Sequence, residues 1–337
     1  MSTPPGTWAR DVLGTEWQAQ TLPLTPDAGG RPVATLVRPR AEDIPAGAEA
    51  GRPAVLYLHG FTDYFFQAEH AQGWVAAGYA FYALDLRDYG RSIRPGRQPG
   101  WTSDLRTYFE EINLALGAIE AAGHSAVVLL GHSTGALIGT LYADAHPGRL
   151  DALVLNSPWF DLNEPWPVRR IVAPLAARIG RFLPHLPVGA LAEPYGRSLH
   201  TSTGGEFAYD LAWKPFEGFP VQAGWLRAIR TGQRALARGL DIHAPVLVCT
   251  SGRSGHPKHP AAQDLAEADC VLDVDQMHRL APRLGPDVQI EVIDGGRHDL
   301  ALSRAPVRRD YLDTVLAWLA RRLDGDDSGQ VTAPAAR

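Results

Sequence analysis

A serine between two glycines is the residue of this 337-residue chain that points most directly to chemistry. Residues 131–135 read Gly-His-Ser-Thr-Gly, with Ser133 at the centre. The apolar run 126–130 precedes them, and the helix-forming run 136–141 follows. A G-x-S-x-G pattern between a strand and a helix predicts a strained turn that exposes the serine hydroxyl. We therefore predict that Ser133 is a nucleophile; the alternative is a glycine-rich turn whose serine caps a helix.

A serine hydroxyl is a weak nucleophile unless a base lies beside it. The best candidate is His298, within 294–299 (DGGRHD), because this loop follows the last predicted strand and could return to the sheet edge. His132 lies inside the serine turn and is not placed to act as the base. We predict His298 as the base.

The anionic intermediate of acyl transfer needs two backbone N–H donors. One should come from Thr134, directly after the nucleophile. The other should come from Phe61, because 59–60 (HG) ends a predicted strand upstream of the serine turn. We predict that these two amides form an oxyanion hole.

An acid must orient the imidazole and stabilise its charged form. It is expected between Ser133 and His298 in the chain, after the strand that begins at Val246. The segment there is a long loop from Ser251 to about Ala268, so more than one carboxylate qualifies. The candidates are Asp264, Asp269, Asp273 and Asp275, with Asp161 after the preceding strand as an outside possibility.

Strands and helix-length segments alternate through the first half of the chain. Apolar runs predict strands at 33–37, 55–60, 80–86, 126–130 and 152–155, the first paired with a segment near 18–22. Helices are expected at about 65–77, with Asp63 near its N-cap, and at 105–122. This alternation predicts mostly parallel strands with helices on both faces.

From about 159 to 240 the alternation stops, and aromatic residues lie among prolines without convincing strands. It resumes with a strand at 246–249, a helix at 274–284, a strand at 288–293 and a helix at 307–323. We therefore predict an α/β fold: a mostly parallel doubly wound sheet with a helical cap insertion. The predicted core is 1–158 with 241–323, the cap is 159–240, and the polar segment 324–337 is a disordered tail.

Composition excludes several classes of function. The net charge of −5 gives no reason to expect a nucleic acid partner. Two cysteines cannot form a disulfide framework, and no signal peptide or apolar membrane span is evident, so we expect a cytoplasmic protein without integral membrane association. His256 and His259 lack further residues at ligand spacing, so we predict no metal and no cofactor.

These motifs resemble those of the α/β-hydrolase superfamily, and within it the monoacylglycerol lipase, lysophospholipase and serine-aminopeptidase-like group. The resemblance extends from about residue 54 to 323. The matching segments are 59–61 (HGF), 85–92 (DLRDYGRS), 131–135, 156–158 (NSP), 182–189 and 295–298 (GGRH). Two features depart from the family: Asp88 stands where its members carry a glycine, and the loop 251–268 is longer than usual.

The resemblance also ranks the acid candidates. Members of the family carry an aspartate, then two or three apolar residues and a second aspartate, and 269–273 (DCVLD) matches this motif. Asp269 is therefore ranked first and Asp273 second. The implied site has Ser133, Asp269 and His298 as the catalytic residues.

The resemblance implies a serine hydrolase that cleaves carboxylic esters through an acyl-enzyme on Ser133. Aromatic residues of the cap favour a lipophilic ester, similar to a monoglyceride or lysophospholipid, although they could instead pack the cap's own core. The alternatives are an acyltransferase, a non-catalytic binding protein, and an aminopeptidase or amidase that would anchor the substrate amine through Glu164, Glu193 or Glu206. Epoxide hydrolases and dehalogenases are disfavoured because those relatives carry aspartate where this chain has Ser133.

Overall fold

A nine-stranded sheet forms the centre of the molecule. The computed structural model describes residues 6–40, 51–163 and 178–323. The predicted tail and part of the predicted cap, including Glu164, lie outside these ranges.

The strands alternate with the helices along most of the chain. In chain order the strands are β1 (Trp8–Asp11), β2 (Gly14–Pro23), β3 (Val33–Pro39), β4 (Ala54–Leu58), β5 (Ala80–Asp85), β6 (Val127–His132), β7 (Ala152–Asn156), β8 (Pro187–Gly189), β9 (Val221–Gln222), β10 (Val246–Ser251) and β11 (Val288–Ile293). The helices are α1 (Ala68–Ala76), α2 (Phe109–Ala121), α3 (Thr134–Ala145), α4 (Glu193–Leu199), α5 (Ala223–Arg238), α6 (Ala262–Glu267), α7 (Val274–Leu280) and α8 (Ala305–Leu323).

The large sheet has the strand order β1-β2-β3-β5-β4-β6-β7-β10-β11. Strands β5, β4, β6, β7, β10 and β11 are mutually parallel, while β1, β2 and β3 extend one side as antiparallel strands. The prediction of a mostly parallel sheet is confirmed. Because parallel strands end at one edge, the loops after β4, β6, β10 and β11 meet there.

Helices cover both faces of this sheet, as the alternation predicts. Side chains alternate along each strand, so Leu56 and Leu129 join the core beside α2, α3 and α5. Their neighbours Val55 and Val128 join the opposite core beside α1 and α8. Both layers contain fully buried aromatic and aliphatic side chains, which fixes the strand ends that carry the site.

The structure corrects some local predictions. Helix α1 begins at Ala68 rather than at about 65, and Gln67 rather than Asp63 stands at its N-cap. The predicted helix 105–122 opens with a 3₁₀ turn, Leu105–Tyr108, before α2 begins. Within the described part of 159–240, strands β8 and β9 form a short antiparallel pair that the sequence did not indicate. The boundaries of the predicted core and cap stay a prediction.

Candidate active site

Ser133 lies at a strained turn between β6 and α3. Its backbone φ of 53° and ψ of −112° fall where L-residues are rarely found. A Cβ atom on Gly131 would lie 2.6 Å from the Cα of Ala136, and a Cβ on Gly135 would collide with the carbonyl of His59. The two glycines therefore permit the turn, and the rigid sheet and helix on either side hold it.

The side chains predicted as nucleophile and base come together over the sheet edge. The Ser133 hydroxyl lies 3.1 Å from His298 Nε2 and can donate to it. On the other side of the ring, His298 Nδ1 donates to Asp269 Oδ2 at 2.9 Å. All three residues are buried. A neutral imidazole held in this way can accept the serine proton, because Asp269 fixes the tautomer with a free Nε2 lone pair.

Asp269 is held by its own loop as well as by the histidine. Its Oδ1 accepts from the backbone N–H groups of Val271 at 2.8 Å and Leu272 at 2.7 Å. Its backbone bridges to the start of the long loop, where Gly255 N donates to Asp269 O at 2.7 Å. The loop 251–268 leaves β10 and passes through α6. It places Asp269 beside His298, at the position that a short loop after β10 would also reach.

The other acid candidates have different partners. Asp273 caps α7 by accepting from Gln276 N at 3.3 Å. Asp264 pairs with Arg253, and Asp161 pairs with Arg230. Asp275 is exposed in the first turn of α7. Only Asp269 among these candidates is within hydrogen-bond distance of His298.

The two amides predicted for the oxyanion hole lie beside the serine. Phe61 and Thr134 both line the cavity that contains Ser133. Gly60, one residue before Phe61, is so close that a Cβ on it would lie 3.2 Å from the Ser133 Cβ. Neither the Phe61 nor the Thr134 amide donates to another described residue. Free N–H groups at this position can bind an oxyanion, and that of Thr134 also benefits from the N-terminal end of α3.

Four successive residues of the loop after β4 contact the segment predicted as the cap. The Phe61 ring lies 4.0 Å from the Trp225 ring, measured between centroids. Thr62 Oγ1 accepts from Phe219 N at 2.9 Å, and Asp63 pairs with Lys214 at 2.6 Å. Tyr64 OH accepts from Asp210 N at 2.8 Å. Contacts with the predicted cap therefore fix the backbone of Phe61, the predicted oxyanion donor of this loop. The sequence did not indicate these pairings, because the partners are about 150 residues apart.

The segment 85–92 contacts the loop after β4 and helps to hold it in place. Asp85 accepts from Phe65 N at 2.9 Å and pairs with Arg91 at 2.8 Å. Asp88, which replaces the glycine expected from the resemblance, has a φ of 62°, a conformation that glycine adopts without strain. Arg97 holds its carboxylate through two hydrogen bonds of 2.7 and 2.8 Å. This ion pair holds a non-glycine residue in that conformation.

A buried polar network joins the turn 131–135, which carries Ser133, to the loop 294–299, which carries His298 and is called the histidine loop below. The Asn156 carbonyl accepts from Ser133 N at 3.0 Å, and its side chain donates to Asp299 Oδ1 at 2.8 Å. The Asp299 N–H in turn donates to Tyr195 OH at 2.9 Å, and the Tyr195 and His298 rings pack edge to face. Burial raises the pKa of Asp299, but the nearby His132 imidazole and the hydrogen bonds from the side-chain amides of Asn156 and Gln67 outweigh burial, so the pKa lies below its ordinary value. The sequence analysis did not identify Asp299 and Tyr195 as parts of the site. Of this network it singled out only the segment 156–158, as one of the segments that resemble the family.

Two further histidines near the serine, His59 and His132, are buried. Burial lowers the pKa of His59 and of His132. His59 accepts from Leu86 N at 3.1 Å and donates to the Gly60 carbonyl at 2.7 Å, a pattern that requires one fixed tautomer. His132 directs Nδ1 to the Asn156 carbonyl instead of to the serine, consistent with its exclusion as the base.

A cavity of about 230 Å³ opens over Ser133. Its walls are largely apolar, with contributions from both the sheet edge and the predicted cap. The apolar side chains that line it include Trp159, Leu191, Phe216, Val271 and Leu272. The described residues contain no cluster of three or more side chains suited to hold a metal ion. None of the described helices is long and apolar enough to cross a membrane.

A family model described as serine aminopeptidase, S33, matches residues 49–304, most of the chain. The chain belongs to this serine hydrolase family. The predicted resemblance and the prediction of an enzyme of the hydrolase class are thereby confirmed.

Relatives of this family have named activities. The chain is 28% identical over 278 residues to the monoacylglycerol lipase of Mycolicibacterium smegmatis, which covers 81% of this chain and 89% of that enzyme. It is 23% identical over 268 residues to the probable lysophospholipase L2 of Haemophilus influenzae, with coverage of 75% and 81%. Epoxide hydrolase 4 of Mus musculus is 34% identical, but only over 115 residues, 34% of this chain and 30% of that one.

Solved structures share the fold. The monoacylglycerol lipase of Paleococcus ferrophilus aligns with a TM-score of 0.59 at 19% identity, covering 80% of this chain and 96% of that one. A soluble variant of monoglyceride lipase from Saccharomyces cerevisiae, solved with a substrate analogue, aligns with a TM-score of 0.61 at 16% identity and covers 95% of each chain. The predicted α/β-hydrolase fold is therefore confirmed.

Proposed function

We propose that the protein hydrolyses carboxylic esters through an acyl-enzyme on Ser133, with His298 as general base and Asp269 as the orienting acid. The hydrogen-bonded chain from the Ser133 hydroxyl through His298 to Asp269 carries this proposal. The second support is the position of Ser133 at a strained turn, beside two free backbone N–H groups.

In the first step, Ser133 Oγ attacks the ester carbonyl while its proton moves to His298 Nε2. The carbonyl oxygen becomes an anion, which the N–H groups of Phe61 and Thr134 stabilise. The ester C–O bond then breaks, and His298 returns the proton to the departing alcohol. Water, deprotonated by His298, cleaves the acyl-enzyme in the same way and releases the carboxylic acid.

The apolar walls of the cavity favour a substrate with a lipophilic acyl group, such as a monoglyceride or a lysophospholipid. The lipase and lysophospholipase names of the relatives are consistent with this substrate class. For the epoxide hydrolase alternative, the residue at the nucleophile position is Ser133 rather than an aspartate.

Aminopeptidase activity receives less support from the cavity. Such a site needs an acidic or carbonyl group to anchor the substrate amine. Of the residues proposed for that role, Glu193 pairs with Arg197 and Glu206 pairs with Arg308, while Glu164 lies outside the described residues. Among the described residues that line the cavity, Asp63 carries the only carboxylate, and Lys214 already neutralises it.

A fluorophosphonate probe followed by matched substrates tests the proposal. We expect the probe to label the wild type and not Ser133→Ala, and p-nitrophenyl esters of several chain lengths to react faster than aminoacyl anilides. Labelling that persists in Ser133→Ala would remove this residue as nucleophile. Absence of any label would favour a binding protein, and anilide cleavage faster than ester cleavage would favour the aminopeptidase.

A further inference from the structure

The cavity over Ser133 contains both lysines of the chain. Of the 32 lysine and arginine residues, only Lys214 and Lys258 are lysines. They come from different parts of the sequence, one from the segment predicted as the cap and the other from the long loop after β10. Both line the same cavity as Ser133 and His298.

The two lysines have different electrostatic surroundings. The Lys214 ammonium is mostly buried and lies 2.6 Å from the buried carboxylate of Asp63, so its charge is neutralised within the protein. Lys258 is exposed and forms no ion pair with a carboxylate of the described residues. Lys258 therefore presents a positive charge whose partner the described chain does not supply.

The position of Lys258 is tied to the acid of the site. Gly255, three residues earlier, donates its N–H to the Asp269 carbonyl at 2.7 Å, and Ser254 forms a β-bridge with Asp269. The cavity wall beside Lys258 continues through Pro257 and 270–272. The loop that delivers Asp269 to His298 thus also delivers the cation to the cavity.

The resulting cavity has the opposite charge from the molecule. Its described lining carries one carboxylate, Asp63, two lysines and the two buried histidines His132 and His298. Burial raises the pKa of the other ionisable lining residues, Tyr195, Tyr209 and Cys270, so they add no charge. With neutral histidines the formal charge of the lining is positive, whereas the whole chain carries −5. A positive cleft in a negative protein attracts an anion selectively to that cleft.

We propose that the site selects esters that carry an anionic group, a carboxylate or a phosphate, and that Lys258 binds this group at the cavity wall. This inference rests on the proposed ester hydrolysis and names its substrate class. The anion can belong to the departing alcohol, as a phosphate does in a lysolipid, or to the acyl part, as in the monoester of a dicarboxylic acid.

Two matched pairs of substrates distinguish these sources. The first pair is 1-octanoylglycerol 3-phosphate against 1-octanoylglycerol, and the second is mono-p-nitrophenyl octanedioate against p-nitrophenyl octanoate. We expect the wild type to favour the anionic member of one pair in kcat/KM. In Lys258→Met that preference should fall by about threefold to fivefold, the range of a single partly exposed charge interaction. The change should appear mainly in KM, because the anion lies away from the reacting carbonyl.

Three controls isolate the local charge. Arg309→Met removes one exposed positive charge from α8, which does not line the cavity, and should leave the preference unchanged. Lys258→Arg should keep most of the preference, and 0.5 M NaCl should weaken it in the wild type. An identical ratio in the wild type and Lys258→Met, with neutral ester hydrolysis intact, would overturn this inference and leave the proposed function standing.

A binding measurement separates the two proposals. Titration of octyl phosphate and octanoate into Ser133→Ala, with and without Lys258→Met, needs no catalysis. We expect the anions to bind about threefold to fivefold more weakly to the double variant. If Ser133 is unreactive towards every ester but this difference is present, the proposed function is wrong and the anion site is correct. Equal binding to both variants would contradict the anion site.

Discussion

At the scale of single residues, the site depends on how Asp269 is held. Its two carboxylate oxygens have separate tasks: Oδ2 accepts from His298, while Oδ1 accepts from the backbone of Val271 and Leu272. The hydrogen bonds from the backbone fix the orientation of the carboxylate before His298 takes up a proton in the proposed reaction. A pre-oriented acid of this kind stabilises the imidazolium without reorganisation during the reaction.

Asp269→Asn is expected to lower kcat for a p-nitrophenyl ester by about 10³- to 10⁴-fold. The amide can present its NH₂ group to His298 Nδ1, which would favour the tautomer with the proton on Nε2, where it cannot accept the serine proton. Steady-state kinetics and the rate of fluorophosphonate labelling measure the effect.

Asp273→Asn is the matched control for this prediction. Asp273 caps α7, and asparagine caps helices about as well as aspartate, so stability and activity should change little. A large loss of activity in Asp273→Asn together with retention in Asp269→Asn would transfer the role of the acid to Asp273.

At the scale of elements, what could be predicted from the sequence was local in the chain. The serine turn depends on 131–135 and the strand and helix that adjoin it, so its pattern is contiguous. The parallel strands were predicted from their apolar runs for the same reason. The choice of Asp269 needed the resemblance, because the length of the loop 251–268 left several carboxylates at comparable distances along the chain.

Contacts between distant segments were not predictable. Asp63 has the residue type and position of a helix cap, yet its partner is Lys214. An ion pair across about 150 residues leaves no periodicity or spacing in the sequence. The same applies to Tyr195 of α4, whose aromatic character was evident but whose contact with the histidine loop was not.

Tyr195→Phe tests whether α4 positions the histidine. The change keeps the ring but leaves the buried N–H of Asp299 without its acceptor, which costs about 1–3 kcal/mol. We expect a lower free energy of unfolding and about a threefold to tenfold slower reaction of Ser133 with the fluorophosphonate probe, because the loop next to His298 loses an anchor.

Tyr209→Phe provides the comparison for this prediction. Tyr209 OH donates to the Gly196 carbonyl at 2.8 Å, so its bond lies within the predicted cap and does not touch the histidine loop. A similar loss of stability with little change in labelling is expected. Equal slowing in both variants would mean that the cap as a whole, and not the Tyr195 hydroxyl, controls the site.

At the scale of the whole molecule, the site is a junction between two layers of structure. The sheet edge supplies Ser133, Asp269 and His298, whereas the predicted cap contacts Asp299 and the loop after β4 that carries Phe61. A small aromatic cluster that includes Tyr64, Phe66 and Tyr209 packs the two together. Reactivity and stability should therefore be coupled, and both should respond to conditions that charge buried groups.

Buried histidines make the fold sensitive to acid. Burial lowers the pKa of His70 to about 4, against an ordinary value of 6.5. His70 accepts from Trp74 Nε1 at 3.0 Å and stacks on Tyr311, so a proton on its ring would be added in a buried, largely aromatic environment. Between pH 4 and 6.5 the unfolded chain binds a proton that the folded chain does not, so folding stability must rise with pH across this interval.

Denaturant unfolding of the wild type and His70→Gln at several pH values between 4.5 and 7 measures this contribution. Glutamine can still accept from Trp74 but does not titrate. The free energy of unfolding of the wild type should increase with pH by up to about 3 kcal/mol more than that of the variant, and the two curves should run parallel above pH 7. Parallel curves across the whole range would show that His70 has the same pKa in the folded and unfolded chains, and would remove this buried histidine as a cause of acid lability.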